Sequence, residues 1–143
     1  MKLARDFETR FSKRGWHSMS AKDHESKFLT ALNQLEEFLG LDMNAKVVQT
    51  AVIQAFEYTY ELAWRTLRDR AVPEGLDAWT PKKAFKAGIG LRLVPADEEA
   101  LWLDMLEDRN VTIHTYDEEL AARILEALQS RYLPALQRFA RRL

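Results

Sequence analysis

The stretch NAKVVQTAVIQAFEYTYELAWRTLRDRAVPEG, residues 44–75, decides the fold of this chain. Its apolar side chains recur every three or four residues, which is typical of an amphipathic helix. They form two adjacent rows: Val48, Val52, Ala55, Thr59, Leu62 and Thr66 in the first, and Phe56, Tyr60, Ala63 and Leu67 beside it. Asn44 is expected to cap this helix, and Pro73 and Gly75 to stop it after roughly seven to eight turns. So broad an apolar band indicates contact with more than one neighbouring helix.

A second amphipathic helix is expected before this one, and a short helix after it. Ser20 or Asp23 can cap the earlier helix, and Gly40 ends it. Its apolar stripe consists of Phe28, Ala31, Leu32, Leu35, Phe38 and Leu39. The connector 73–96 contains WTPKKAFKAG, which predicts a short helix with Thr80 as its cap and a proline at its first position.

Two more amphipathic helices are expected in the C-terminal third of the chain. Asp97 is predicted to cap the helix DEEALWLDMLEDR. The last helix is predicted to start near Thr115, where Thr115-x-x-Glu118 fits a capping box, and to run to the end with a kink at Pro134. Its apolar positions are Leu120, Ile124, Leu128, Leu136 and Phe139.

The composition agrees with a helical fold. The 20 leucines and 18 alanines far outnumber the 10 valines and isoleucines, and glycine and proline total nine. Unbranched side chains lose little rotamer freedom in a helix. The predicted fold is therefore all-α, an up-and-down four-helix bundle with a short extra helix in the 73–96 connector. The bundle is expected to span residues 20–143, with residues 1–19 as an N-terminal extension of unknown role.

Charge and cysteine content exclude several classes of protein. The formal net charge is -1, which does not suggest a bulk polyanion binder, although a local basic patch is compatible with it. The chain has no cysteine, so disulfides and thiolate metal sites are excluded. No apolar stretch reaches the length of a membrane span. We therefore expect a cytoplasmic protein that does not enter a membrane.

Arg109 is the first candidate functional residue. It continues the apolar face that Trp102 and Met105 begin, near the predicted end of a helix. Three acidic residues near Arg109 in that helix are expected to point mostly elsewhere: Asp104, Glu107 and Asp108. A cation in the last turn interacts favourably with the helix dipole, and its stem can cover apolar surface, which explains Arg109 without a function. The alternative is that its guanidinium binds a phosphate.

Three further candidate residues follow within seven positions, in RNVTIHTY: Asn110, His114 and Tyr116. His114 is expected near the amino end of the last helix, where the dipole favours a neutral imidazole and attracts an anion. Asn110 lies four residues before it and could orient the ring, or could simply end the helix. Tyr116 adds a hydroxyl, or packs at the helix entry. Each residue alone also has a purely structural explanation. For His114, that explanation is a hydrogen bond to a nearby carbonyl.

Together, these residues match the pattern R-x-x-x-x-H-x-Y between two helices of a predicted bundle. This pattern resembles the signature of HEPN domains. Three blocks in order, residues 55–69, 80–88 and 102–121, are similar to the nucleotidyltransferase substrate-binding proteins, the HEPN partners of small nucleotidyltransferases. The resemblance covers roughly residues 20–140.

The resemblance implies a metal-independent endoribonuclease toxin whose antitoxin is a small nucleotidyltransferase. It implies that Arg109 and His114 are catalytic, that Asn110 supports them, and that Tyr116 receives AMP from the partner. No cofactor and no metal ion is expected. HEPN bundles dimerise, so a homodimer with Arg109 and His114 near its axis is predicted, with two copies of each around one groove.

The residue types suit RNA as substrate, with tRNA as one candidate. RNA carries its own nucleophile, the 2′-hydroxyl, and its attack on the adjacent phosphate requires proton transfer and a cation. His114 could exchange the proton, and Arg109 could hold two phosphate oxygens.

A non-catalytic alternative remains open. The chain could be a substrate-binding or interaction subunit of a nucleotidyltransferase complex, with basic and aromatic residues as the docking area: Trp79, Lys82, Lys83 and Lys86. The aromatic EYTYELAW stretch is predicted to be core rather than interface. A purely structural helical assembly protein is the third alternative.

Overall fold

The computed structural model describes residues 21–112 and 117–143. The extension predicted for residues 1–19 lies outside these described residues. Within the described ranges the chain is an all-α bundle without β-strands, as predicted. Among the described helices, none is both long enough and apolar enough to cross a membrane.

The helices follow the order expected from the sequence. They are α1 (Ala21–Leu39), α2 (Lys46–Ala71), α3 (Pro81–Gly90), α4 (Glu99–Thr112), α5 (Glu118–Ala127) and α6 (Leu133–Arg141). Two 3-10 turns, Val72–Glu74 and Ala96–Glu98, flank the connector, and a π turn, Leu128–Tyr132, joins α5 to α6. In the described ranges, four long helical segments (α1, α2, α4 and α5–α6) therefore form the bundle, and α3 is the predicted short helix.

Helix α2 is the centre of the bundle because it packs against α1, α3, α4 and α5. The two predicted apolar rows are buried, apart from Val48, which is partly exposed. The broad apolar band read from the sequence is confirmed. The prediction that the EYTYELAW stretch belongs to the core is only partly correct, because Tyr60 is buried whereas Tyr58 is exposed.

The predicted helix ends are mostly confirmed. Helix α1 ends at Leu39, directly before Gly40. The Thr80 side chain accepts a hydrogen bond from the Lys83 amide (3.2 Å) and caps α3. Gly75, with a φ of 80°, closes the turn after α2 in the left-handed region that glycine adopts without strain.

Two predicted caps are wrong. Asn44 does not cap α2: its own amide donates to the Asp42 side chain (3.0 Å), and the helix begins two residues later, at Lys46. Asp97 lies inside the 3-10 turn Ala96–Glu98 and so does not directly precede α4. In both places a local turn competes with the helix start, and polar residues near a helix start fit either structure.

The core is built around one indole ring. Trp102 of α4 is fully buried, and its ring centroid lies 6.3 Å from that of Tyr60, 6.5 Å from that of Phe85 and 5.8 Å from that of Phe139. Rings at these separations attract one another beyond the effect of area burial. One side chain therefore joins α2, α3, α4 and α6.

The last helical segment changes its winding before Pro134. In an α-helix the Pro134 ring would meet the Ser130 carbonyl and could not bond it. The chain forms the π turn Leu128–Tyr132 at this point and then continues as α6. The predicted irregularity is thus a π turn, and Tyr132 within it is buried.

Candidate functional site

Arg109 lies in the last turn of α4, on the face whose earlier residues, Trp102 and Met105, are buried. Its side chain is 26% exposed, so it is neither free in solvent nor enclosed in the core. The stem continues the apolar face as predicted. The guanidinium has a specific protein partner, Glu61, which lies 48 residues earlier on α2.

The Glu61 carboxylate accepts hydrogen bonds from two arginines, Arg65 and Arg109. Arg109 Nη2 lies 3.3 Å from Glu61 Oε2. Arg65 donates twice to Oε1, from Nε (3.1 Å) and Nη2 (3.0 Å), and the Trp64 indole N–H donates to Oε2 (3.0 Å). Two guanidinium charges on one carboxylate leave an excess positive charge at this surface. The arrangement holds the Arg109 guanidinium against α2.

The Tyr60 ring lies in the core below this cluster. Burial raises the pKa of its hydroxyl well above the ordinary range, and the Arg109 charge opposes that rise only in part. The Tyr60 hydroxyl is therefore protonated at neutral pH. Among the described residues, neither its hydroxyl nor Arg109 Nε has a hydrogen-bond partner.

Of the other predicted site residues, only Asn110 lies in the part of the chain that the structure describes. Asn110 is exposed on α4, next to Arg109. His114 and Tyr116 lie outside the described residues. The residues on either side of that stretch are Thr112, whose hydroxyl donates to the Arg109 carbonyl (2.8 Å), and Asp117.

The start of α5 differs from the capping box predicted at Thr115. The cap is Asp117, whose side chain accepts from the amides of Glu119 (2.9 Å) and Leu120 (3.3 Å). Thr115 itself lies outside the described residues. Aspartate is as good an N-cap as threonine or better, so the Asp-Glu-Glu run offered a second cap two positions later that the sequence reading passed over.

A pocket of about 360 Å³ opens beside the start of α5, between α2 and α5. Helix α2 contributes Gln49, Thr50, Ile53, Gln54 and Glu57. The α5 side contributes Asp117, Glu118, Leu120, Ala121 and Ile124, and Thr112 of α4 completes the lining. Sequence reasoning did not identify this pocket, because the part of its lining on α2 lies far in sequence from the part on α4 and α5.

Asp108 was expected to point away from the apolar face that Arg109 continues, but it too is buried in the bundle. Its carboxylate is buried and accepts from Arg123 Nη1 (3.3 Å) and Nη2 (2.8 Å) and from the Tyr132 hydroxyl. Leaving a buried hydroxyl unpaired costs about 1–3 kcal/mol, so this network helps hold α5–α6 against α4. The sequence did carry a signal for the burial of Asp108, because it lies three residues after the buried Met105, and residues at this spacing are neighbours on a helix surface.

A basic and aromatic surface extends from Glu61 towards α3. The Arg68 guanidinium lies 5.4 Å from the Trp64 ring centroid and 5.9 Å from that of Trp79, which is 64% exposed. The lysines predicted as a docking area are exposed on the adjacent α3: Lys82, Lys83 and Lys86. Lys83 pairs with Asp77 (2.8 Å).

Comparison with known proteins identifies the family. A family model described as nucleotidyltransferase substrate binding protein like matches residues 24–143. The chain belongs to this family. The match confirms the resemblance to the HEPN-like nucleotidyltransferase substrate-binding proteins, and it includes the whole RNVTIHTY motif.

A solved structure has a fold similar to that of this chain. The crystal structure of a protein from Thermus thermophilus matches with a TM-score of 0.73 and 34% sequence identity, over 80% of this chain and 97% of that chain. No match was found among curated proteins.

Proposed function

We propose that this protein is a metal-independent endoribonuclease toxin, neutralised by a small nucleotidyltransferase. The observation that carries the proposal is the position of Arg109, the first residue of the R-x-x-x-x-H-x-Y motif. Glu61 holds its guanidinium at the surface in a cluster with excess positive charge. Family membership supports the partner, because the family's description names a nucleotidyltransferase.

The chemistry follows from the residue types. The 2′-hydroxyl of RNA attacks the adjacent phosphorus, the bond from phosphorus to the 5′-oxygen breaks, and a cyclic phosphate and a 5′-hydroxyl result. His114 exchanges the proton that leaves the 2′-oxygen and the proton that the 5′-oxygen gains. Arg109 binds phosphate oxygens as negative charge grows on them. Asn110 supports the motif from the neighbouring position.

The partner's role is to block this site. AMP on the Tyr116 hydroxyl would place a bulky anion seven residues from Arg109, where it competes with RNA for the guanidinium. The exposed surface of Trp79, Lys82 and Lys86 would serve as docking area for the nucleotidyltransferase.

A homodimer is part of the proposal. On α2, Val47 is 77% and Tyr58 is 54% exposed, and their spacing places them on the same helix face as Glu61 and Arg65. Large apolar side chains on one face favour association of two copies, which would bring two Arg109 cations to one groove. Light scattering at micromolar and higher concentrations should give the mass of two chains. A monomer at every concentration would contradict the shared groove.

Growth and cleavage assays test the nuclease. Expression without the nucleotidyltransferase should slow growth, and His114→Ala should relieve the effect. Purified wild-type protein should cleave total tRNA in the presence of a chelator, and His114→Ala should reduce the rate by about 100-fold or more, since general acid-base catalysis contributes that much. Unchanged toxicity in the variant would remove His114 from the mechanism.

A second candidate is a non-catalytic subunit that binds the nucleotidyltransferase. The ion pair between Arg109 and Glu61 favours it, because a guanidinium already paired to protein needs no phosphate to explain its position. Stable co-purification with a nucleotidyltransferase, together with absence of RNA cleavage at any dose, would select this function.

A further inference from the structure

The pocket between α2 and α5 has the dimensions of a small-ligand site. Its volume of about 360 Å³ lies within the range of roughly 300–1,000 Å³ typical of such pockets. Ile53, Leu120 and Ile124 provide apolar surface, while Gln54 and Thr50 provide amide and hydroxyl groups. An aromatic heterocycle matches this lining, since its faces are apolar and its edge carries donors and acceptors.

The charge of the pocket distinguishes a base from a phosphate. Three carboxylates line it, Glu57, Asp117 and Glu118, and none of its described lining residues is a lysine or an arginine. Carboxylates repel phosphate but accept hydrogen bonds from the amino groups of nucleobases. Lys46 pairs with Glu118 (2.6 Å) and offsets part of the negative charge there.

The pocket adjoins the Arg109 cluster. Thr112, which lines the pocket, lies three residues after Arg109 on α4, and Glu57 lies four residues before Glu61 on α2. Residues at these spacings are neighbours on a helix surface, about 5–6 Å apart between Cβ atoms. A single nucleotide could therefore place its phosphate at the guanidinium and its base in the pocket.

We propose that this pocket binds one nucleobase of the RNA chain, next to the phosphodiester held by Arg109. The inference rests on the proposed function, because it assigns the two parts of one nucleotide to two adjacent surfaces. The pocket then selects the base at the cleaved position, and Arg109 contributes to the rate without choosing the base.

Two adjacent alanines on α5 allow a matched test. Ala121 lines the pocket, whereas Ala122 is exposed and does not line it. Adenosine, guanosine, cytidine and uridine are titrated separately into the full chain by calorimetry. At least one should bind with a millimolar or lower Kd, Ala121→Trp should weaken it by about tenfold or more, and Ala122→Trp should leave it unchanged. Gln54→Ala, at an exposed position, should weaken it several-fold without affecting the fold.

The opposite results would overturn the pocket assignment. They are binding of no nucleoside by the wild type, equal binding by Ala121→Trp and wild type, or displacement of the nucleoside by inorganic phosphate. Cleavage is measured separately on RNAs that differ in one base. Cleavage without nucleoside binding would refute the pocket and leave the nuclease standing. Nucleoside binding that Ala121→Trp abolishes, without cleavage by the wild type, would refute the nuclease and retain a nucleobase site.

Discussion

Arg109→Ala should lower kcat for RNA cleavage by about 100- to 1,000-fold and change KM little. Hydrogen-bond donors aimed at the charge that develops in a transition state contribute about this much. Glu61 holds the guanidinium in place before substrate binds, so the wild-type site needs little rearrangement during the reaction. The measurement is initial rates on a fluorescent RNA with chelator present. Arg109→Lys should recover only part of the rate, because lysine lacks the two-pronged geometry.

Arg131→Ala is the matched control for this variant. Like Arg109, Arg131 pairs with an acidic residue of another helical element, Asp104 of α4 (2.7 Å), but its side chain is 48% exposed and lies outside the candidate site. An exposed pair of this kind contributes at most about 1 kcal/mol to stability, so the control should fold and cleave normally. Equal activity of Arg109→Ala and wild type would refute the assignment of Arg109.

Mixed dimers extend this test to the shared groove. A dimer of one Arg109→Ala chain and one His114→Ala chain retains one guanidinium and one imidazole. If both chains contribute to one groove, this dimer should cleave RNA faster than either variant alone. Equal inactivity of all three dimers would contradict a composite site.

Trp102→Ala should lower the free energy of unfolding by about 3–5 kcal/mol, the usual cost of truncating a fully buried aromatic side chain. The indole contacts the rings of Tyr60, Phe85 and Phe139, so its removal loosens the packing of α2, α3 and α6 at once. For a chain of this length, Tm should fall by roughly 10–20 °C. Urea unfolding followed by far-UV circular dichroism gives the free energy directly.

Trp79→Ala makes the same chemical change at the surface. Trp79 is 64% exposed and contacts Arg68 through a cation–π interaction worth about 0.5–1 kcal/mol at an exposed site. Its loss should therefore change stability by no more than about 1 kcal/mol. Similar destabilisation by both variants would mean that the core is not organised around Trp102.

The helices could be predicted from the sequence because their signals are local. The two apolar rows of α2, the Thr80 cap and the turn at Gly75 each depend on residues within a few positions of one another. Errors occurred where two local structures compete for the same residues. Asn44 and Asp97 could each have capped a helix, but both lie in turns.

The candidate site was predicted only in part. The identity of Arg109 followed from the motif and from its place at the end of an apolar face. Its partner did not, because nothing near Arg109 in the sequence identifies Glu61 among the other acidic residues. The partners of Asp108 could not be predicted for the same reason, because Arg123 and Tyr132 lie 15 and 24 residues later in the chain.

The sequence by itself determined the helical class, the buried faces and the motif residues, because periodicity and capping act over one or two helical turns. Only the tertiary structure decided the contact of Arg109 with Glu61, the partners of Asp108 and the pocket between α2 and α5. The contacts of Asp108 with Arg123 and of Arg109 with Glu61 join residues that lie 15 and 48 positions apart. They depend on how helices cross and on their register against each other, which many side chains set jointly and no local pattern records.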